Sequence, residues 1–150
     1  MAVKTLAAYP AKFQPEPEGG YTVTFPDFGF GATYGATRDE ALRQAADLLE
    51  TIVANVLAEG WDLPAPSAAR GHPLVLLDPL VAVKAELYRE MRAAGVTKAE
   101  LARRMGIAPQ QAQRLFDTNH LSRLDQIAAA FTALGRRLVM TSESADRLTA

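Results

Sequence analysis

The stretch TRDEALRQAADLLETIVANVLAEG (residues 37–60) decides the architecture of the first half of this chain. Thr37 and Glu40 form a capping-box pattern, in which two side chains satisfy the first amides of a helix. Apolar residues then recur at intervals of three and four as far as Leu57, and Gly60 is a typical helix stop. The pattern predicts an amphipathic helix over residues 38–58.

The residues on either side of this helix have the patterns of strands. Tyr21–Phe25 alternates large apolar residues with threonine, as in a strand with one buried face. We predict a partner strand over Leu6–Phe13 and a third over Phe28–Tyr34, the latter weakened by glycines. After a proline-containing connector, Leu74–Leu77 suits a buried strand better than a helix. These predictions make the first half β-β-β-α-β, an α+β layer with the helix on one face of the sheet.

The second half has helical signals instead. Asp78–Pro79 is typical of a helix N-terminus, and that helix is predicted to run to Gly95. Thr97–Glu100 is a second capping box, Pro109–Phe116 a further helix, and Ser122 resembles a third cap. We therefore expect a separate, mainly helical domain.

Composition and charge narrow the classes of protein to consider. The chain has no cysteine, which excludes disulfides, zinc–thiolate sites and cysteine nucleophiles. No apolar run has the length of a signal peptide or of a bilayer span, so we expect a cytoplasmic protein without a membrane partner. Residues 1–83 carry five basic and ten acidic residues (net −5), whereas residues 84–150 carry eleven and seven (net +4). This asymmetry indicates two halves with different partners, the second a candidate for polyanions.

Residues 97–117, TKAELARRMGIAPQQAQRLFD, predict a DNA-binding helix-turn-helix. Ala102 and Gly106 are four residues apart, as the close helix crossing and the turn of that motif require. Apolar residues supply the inner contacts at Leu101, Met105, Ile107, Ala112 and Leu115. The alternative is a helical hairpin whose polar face is merely solvated.

The outward positions of its second helix carry no acidic residue: Gln110, Gln111, Gln113 and Arg114. Glutamine pairs bidentately with adenine and arginine with guanine, at about 1–3 kcal/mol of discrimination per pair. Phosphate contacts, which position a domain without reading sequence, are expected from Lys98, Arg103, Arg104 and Arg123.

Motifs along nearly the whole chain point to a known family. The first half contains, in order, Tyr9-Pro10-Ala11-x-Phe13, Gly20-Tyr21-x-Val23-x-Phe25-Pro26-Asp27 and Gly31-Ala32-Thr33-x-Gly35-Ala36-Thr37-x-x-Glu40-Ala41. The second half adds Glu100–Gly106, Arg114–Asp117 and Ala133–Leu138. Together they resemble the HicB family of antitoxins, in its helix-turn-helix branch.

The resemblance implies a function for each half. Residues 1–78 would be a partially degraded ribonuclease-H-like domain that binds and blocks HicA, a small basic toxin that cleaves RNA. Residues 79–150 would bind the operon's own promoter DNA, so that the complex represses its own synthesis. The acidic first half agrees with a basic partner, because complementary fields speed association and set specificity.

The candidate toxin contacts are Asp27, Phe28, Phe30 and Tyr34. Packing of these three aromatic residues in the core is the alternative. Trp61, directly after the helix stop, is expected to be a core residue.

Neither enzymatic activity nor a metal or cofactor is expected. A working ribonuclease-H-type site needs several carboxylates around Mg²⁺, usually including one on the first strand, yet residues 2–13 contain no acidic residue. Asp27 ends a strand, whereas Asp39 and Glu40 belong to a capping pattern. A surviving nuclease is therefore the disfavoured alternative.

The C-terminal residues suggest an oligomer. Arg136–Thr141 is predicted to form a last short strand, in which Leu138, Val139 and Met140 pair across chains. Helix-turn-helix proteins usually bind as dimers to half-sites about 34 Å apart, so we expect a homodimer or a higher homo-oligomer. A competing function is a stand-alone transcriptional regulator whose first domain oligomerises or senses a ligand.

Overall fold

A computed structural model describes residues 7–145 of the chain. Within them the elements are, in chain order, β1 (Ala8–Pro10), β2 (Lys12–Pro15), β3 (Tyr21–Thr24), β4 (Ala32–Gly35), α1 (Arg38–Glu59), β5 (Leu74–Leu76), α2 (Pro79–Ala93), α3 (Lys98–Met105), α4 (Pro109–Arg114) and α5 (Leu124–Ala133). The mixed α and β character is confirmed, but four strands precede α1 where three were predicted.

The first predicted strand is divided between two partners. Its first residue, Leu6, lies outside the described residues. β1 pairs antiparallel with β5, whereas β2 pairs antiparallel with β3, which in turn pairs with β4. Between β1 and β2, the amide of Ala11 donates to the carbonyl of Pro73 at 2.9 Å. The first extended segment thus pairs with β5 through its first part, β1, and with β3 through its second part, β2.

The third predicted strand begins four residues later than expected. Phe28 and Gly29 donate their amides to the carbonyl of Phe25, which makes a turn. Gly29 and Gly31 have φ of 74° and 83°, a left-handed conformation that an L side chain disfavours and that interrupts a strand. β4 therefore starts at Ala32.

Helix α1 forms as predicted and packs against strands of two small sheets, the two-stranded β1–β5 and the three-stranded β2–β3–β4. The amide of Glu40 donates to Thr37 Oγ1 at 3.2 Å, and Glu40 Oε2 accepts from the amide of Ala36 at 3.0 Å. Its buried face consists of Ala41, Ala45, Leu49, Ile52, Val53, Val56 and Leu57. These residues contact Val23 of β3 and Val75 of β5 in one hydrophobic core.

Strand β5 forms as predicted, but it is not buried on both faces. Val75 and Leu77 are buried, whereas Leu74 and Leu76 are exposed. Because successive side chains of a strand alternate between faces, only one face of β5 meets α1.

Helices α2 to α5 make up the second half and share the core of the first half. Asp78 Oδ1 accepts from the amide of Leu80 at 2.9 Å, which confirms the predicted start of α2. Tyr88 of α2 donates its hydroxyl to the carbonyl of Trp61 at 2.5 Å, and Arg92 donates to the carbonyl of Gly60 at 3.0 Å. α2 is therefore tied to the turn that follows α1.

Two local predictions for the second half are wrong. Residues 136–141 form no strand in the single chain, since every strand among residues 7–145 lies within residues 8–76. Ser122 is not a helix cap: α5 begins after Arg123, and the Ser122 hydroxyl instead donates to the carbonyl of Arg114 at 3.3 Å.

Glu86 on α2 should make the stability of the protein depend on pH. Its Oε2 is buried without a hydrogen-bond partner among the described residues, and burial raises the pKa of its carboxyl, partly offset by Arg89. A carboxyl whose pKa is higher in the folded than in the unfolded state costs stability once the pH exceeds its ordinary value of 4.5.

We therefore expect Glu86→Gln to raise the free energy of unfolding by about 0.5 kcal/mol at neutral pH, a value reduced for partial solvent screening. The gain should vanish at about pH 3, well below the ordinary value of 4.5, where the carboxyl is protonated in both states. Urea unfolding at the two pH values measures the difference. A gain of equal size at both would contradict the assignment.

Candidate functional site

The first candidate surface is a groove beside the C-terminal end of α1. This aromatic groove has a volume of about 320 Å³ and is lined by Asp27, Phe28, Phe30, Val56, Trp61, Asp62 and Pro64. It contains three of the four residues predicted to contact a toxin. The fourth, Tyr34, is elsewhere.

Trp61 is the residue of the groove that sequence reasoning misjudged. Gly60 ends α1 with φ 74°, and the amide of Trp61 donates back to the carbonyl of Val56 at 3.1 Å. The indole is 49% exposed and meets Phe30, itself 42% exposed, edge to face with ring centroids 5.8 Å apart. Trp61 is thus a surface residue of the groove and not the expected core residue. A large aromatic directly after a helix stop was the only signal in the sequence.

The three aromatic residues predicted either to contact a toxin or to pack in the core have different environments. Phe28 is half-buried and packs on Tyr9 with centroids 4.7 Å apart, so it belongs largely to the core. Phe30 is exposed in the groove. Tyr34 is 51% exposed and lies opposite Thr22, on the sheet face away from α1, with its hydroxyl donating to the carbonyl of Gly19.

Carboxylates flank the aromatic pair of the groove. Asp27 Oδ2 accepts from the amide of Ser67 at 3.0 Å, and Asp62 Oδ1 accepts from Arg92 Nη2 at 2.5 Å. The groove therefore presents exposed π surface beside the carboxylate of Asp27, which has no ion-pair partner among the described residues, and this combination suits a cationic side chain.

The second candidate surface is formed by α3 and α4. Ala102 and Ala112 are buried, and Gly106 turns the chain between the helices with φ 66°. Of the predicted inner contacts, Leu101 and Leu115 are buried, while Met105 and Ile107 are half-buried.

The predicted outward residues of α4 are all exposed: Gln110, Gln111, Gln113 and Arg114. Gln111 has a local role, because its Oε1 accepts from the amide of Ala108 at 3.0 Å at the start of the helix. Among residues 7–145, the side chains of Gln110, Gln113 and Arg114 have no hydrogen-bond or ion-pair partner.

The predicted phosphate contacts all have partners within the chain. Arg103 and Arg104 pair with Glu100 and hold the pKa of its carboxyl below the usual value. Arg123 pairs with Asp125 at 2.9 Å, and Lys98 Nζ lies 5.4 Å from the ring centroid of Phe116. These pairs are solvent-exposed or at the surface, where such contacts are weak and exchange readily with an external anion.

Sequence reasoning also missed Lys84. It is the only charged residue that is buried in the described part of the chain, and its ammonium contacts the end of α4. The sequence did contain a signal of its burial. Lys84 follows Val81 by three residues and precedes Tyr88 by four, which puts it on the buried stripe of α2.

Over residues 7–145, no three histidine, aspartate or glutamate side chains cluster in a way that would hold a metal ion. In the same range no helix combines the length and the apolar character needed to cross a bilayer.

Comparison with known proteins identifies similar sequences. Residues 8–86 match the family model described as HicB-like antitoxin of bacterial toxin–antitoxin system. The chain is 37% identical over 134 residues to Antitoxin HicB 2 of Photorhabdus laumondii subsp. laumondii, covering 89% of this chain and 95% of that protein. It is 37% identical over 131 residues to Antitoxin HicB of Escherichia coli (strain K12), covering 87% and 95%.

Among solved structures, a toxin–antitoxin complex from Streptococcus pneumoniae contains a similar chain with 34% sequence identity and a TM-score of 0.39. The match covers 43% of this chain and 46% of that chain.

Proposed function

Because the chain belongs to the HicB-like antitoxin family, we propose that it neutralises a HicA-type toxin through residues 1–78 and represses its own operon through residues 79–150. The relatives are named as antitoxins, which is a binding role, and we propose binding without catalysis for this chain as well. In this proposal the sheet and α1 are the remnant of a ribonuclease-H-like fold. Its first extended segment, Ala8–Pro15, carries no carboxylate with which to hold Mg²⁺.

The observation that carries the toxin-binding half is the exposed pair of Phe30 and Trp61 between Asp27 and Asp62. Tryptophan is among the residues that contribute most at protein interfaces, and its face attracts arginine and lysine. A small basic ribonuclease offers such side chains. The net charge of −5 over residues 1–83 favours the same partner.

The operator-binding half rests on α3 and α4. The exposed face of α4 carries amide and guanidinium groups and no carboxylate, which is the chemistry that pairs with base edges in the major groove. Four basic residues on α3 and directly before α5 would exchange their internal partners for phosphates: Lys98, Arg103, Arg104 and Arg123. A protein that binds a messenger-cleaving toxin and an operator would act in the cytoplasm.

A dimer would bring two such helices to adjacent half-sites. Leu138 is half-buried, whereas Val139 and Met140 are 67% and 66% exposed in the single chain. We propose that this segment pairs with its copy in a second chain, which supplies the neighbour that a strand needs. Sedimentation that gave only the monomer mass would contradict this proposal.

Co-expression tests the proposed function. The proposal predicts a reading frame for a small basic protein beside the gene, which is expressed alone and together with the full chain. We expect arrest of growth in the first case, and growth with a co-purifying complex in the second. The full chain should also bind a duplex of its own promoter, with an affinity that falls steeply with salt. Promoter binding without any effect on the neighbouring protein would favour the stand-alone regulator.

A further inference from the structure

A buried lysine connects α2 to the end of α4. Lys84 has no exposed surface, and its Nζ donates to the carbonyl oxygens of Arg114 at 3.0 Å, Asp117 at 2.7 Å and His120 at 2.6 Å. An ammonium has three N–H donors, so every donor of this group is used.

The three carbonyls belong to the segment that ends α4. Arg114 is the last residue of that helix, where carbonyls have no partner within the helix and carry its negative dipole end. The carbonyls of Asp117 and His120 lie in the turn that leads to α5. A single ammonium thus donates to three carbonyl oxygens that converge from the helix end and from the turn after it, which an apolar residue of similar length cannot do.

A second side chain acts on the same helix end. Ser122 Oγ donates to the carbonyl of Arg114 at 3.3 Å and contacts His120 Nδ1 at 3.2 Å. The end of α4 is therefore attached twice, to α2 through Lys84 and to the following turn through Ser122. The opposite surface of α4 carries the exposed side chains of Gln110, Gln113 and Arg114.

We propose that Lys84 is a positioning residue for operator recognition. By bonding the last turn of α4 to α2, it holds the outward side chains of α4 at one angle to the rest of the domain. Bidentate pairing with a base edge tolerates little misalignment, whereas phosphate contacts tolerate more. This inference rests on the proposed operator binding, and it predicts a loss of specificity larger than the loss of general DNA affinity.

The test uses the full chain with Lys84→Met, which keeps the length and removes the charge and the donors. The probes are a duplex of the chain's own promoter and a scrambled duplex of equal length. We expect promoter affinity to fall about tenfold, and scrambled-duplex affinity to change less than about threefold. All variants are compared at a temperature where circular dichroism shows them folded.

Tyr88→Phe is the matched control. It also removes a hydrogen bond made by α2, but that bond goes to the carbonyl of Trp61 in the first half and not to the end of α4. It should lower stability and leave the ratio of promoter to scrambled affinity unchanged. Ser122→Ala is the second variant, for the case in which Lys84→Met does not fold. It should reduce promoter affinity about threefold through the same helix end.

The outcomes separate the two proposals. A wild-type chain that does not prefer its promoter overturns operator binding itself. The positioning role is overturned if folded Lys84→Met prefers the promoter as strongly as the wild type does. If Lys84→Met does not fold, the same result in Ser122→Ala overturns it. Equal losses on both duplexes also overturn it, because they would show a contribution to folding alone.

Discussion

Trp61→Ala is expected to weaken toxin binding by about 30-fold or more, the loss typical of a central aromatic residue at an interface. The indole is the largest exposed aromatic surface of the groove, and its removal also takes away the π face offered to a cation. Phe30→Ala should act in the same direction with a smaller effect. Titration calorimetry of the full chain with the purified toxin, and growth in co-expression, measure the two consequences.

Leu74→Ala is the matched control for this prediction. Leu74 is 44% exposed, but it lies on β5 and outside the groove, so its truncation removes exposed apolar surface without touching the proposed interface. Promoter binding of Trp61→Ala should equal that of the wild type, since its backbone carbonyl still accepts from Tyr88. Unchanged toxin affinity in a folded Trp61→Ala chain would move the interface to another face.

Arg114→Ala is expected to lower promoter affinity by about 10- to 100-fold, to near the level of scrambled DNA. Its guanidinium is exposed at the end of α4 and has no internal partner among the described residues. The backbone carbonyl that accepts from Lys84 remains, so the position of the helix should be kept. Fluorescence anisotropy with promoter and scrambled duplexes gives the affinity and the specificity together.

Arg43→Ala removes the same charge from the exposed side of α1 and should leave both affinities near those of the wild type. Toxin neutralisation should persist in Arg114→Ala. If Arg114→Ala instead released the toxin, the assignment of separate tasks to the two halves would be wrong.

Helix boundaries were predictable because their signals are local. The Thr37–Glu40 box, Asp78 before α2 and the left-handed Gly60 and Gly106 all act within a few residues, and each has its expected role. Ser122 was mistaken for such a signal, since its hydroxyl bonds to a residue eight positions earlier instead of to the following helix.

Strand limits were less predictable, because a strand exists only with a partner. The division of the first extended segment at Ala11 depends on Pro73, 62 positions away in the chain. The predicted strand near Leu138 has suitable residues but no paired strand among residues 7–145. Its formation stays a prediction for the oligomer.

The sequence by itself determined the family, the division of charge between the halves, the α1 and α2 helices and the acid-free outer face of α4. These features depend on residue identity and on short spacings along the chain, which are the same before and after folding. Only the tertiary structure decided that Trp61 faces the solvent beside Phe30, that Tyr34 lies on another surface, and that three carbonyls converge on Lys84. Burial and convergence depend on which distant segments become neighbours, and no local pattern encodes that choice.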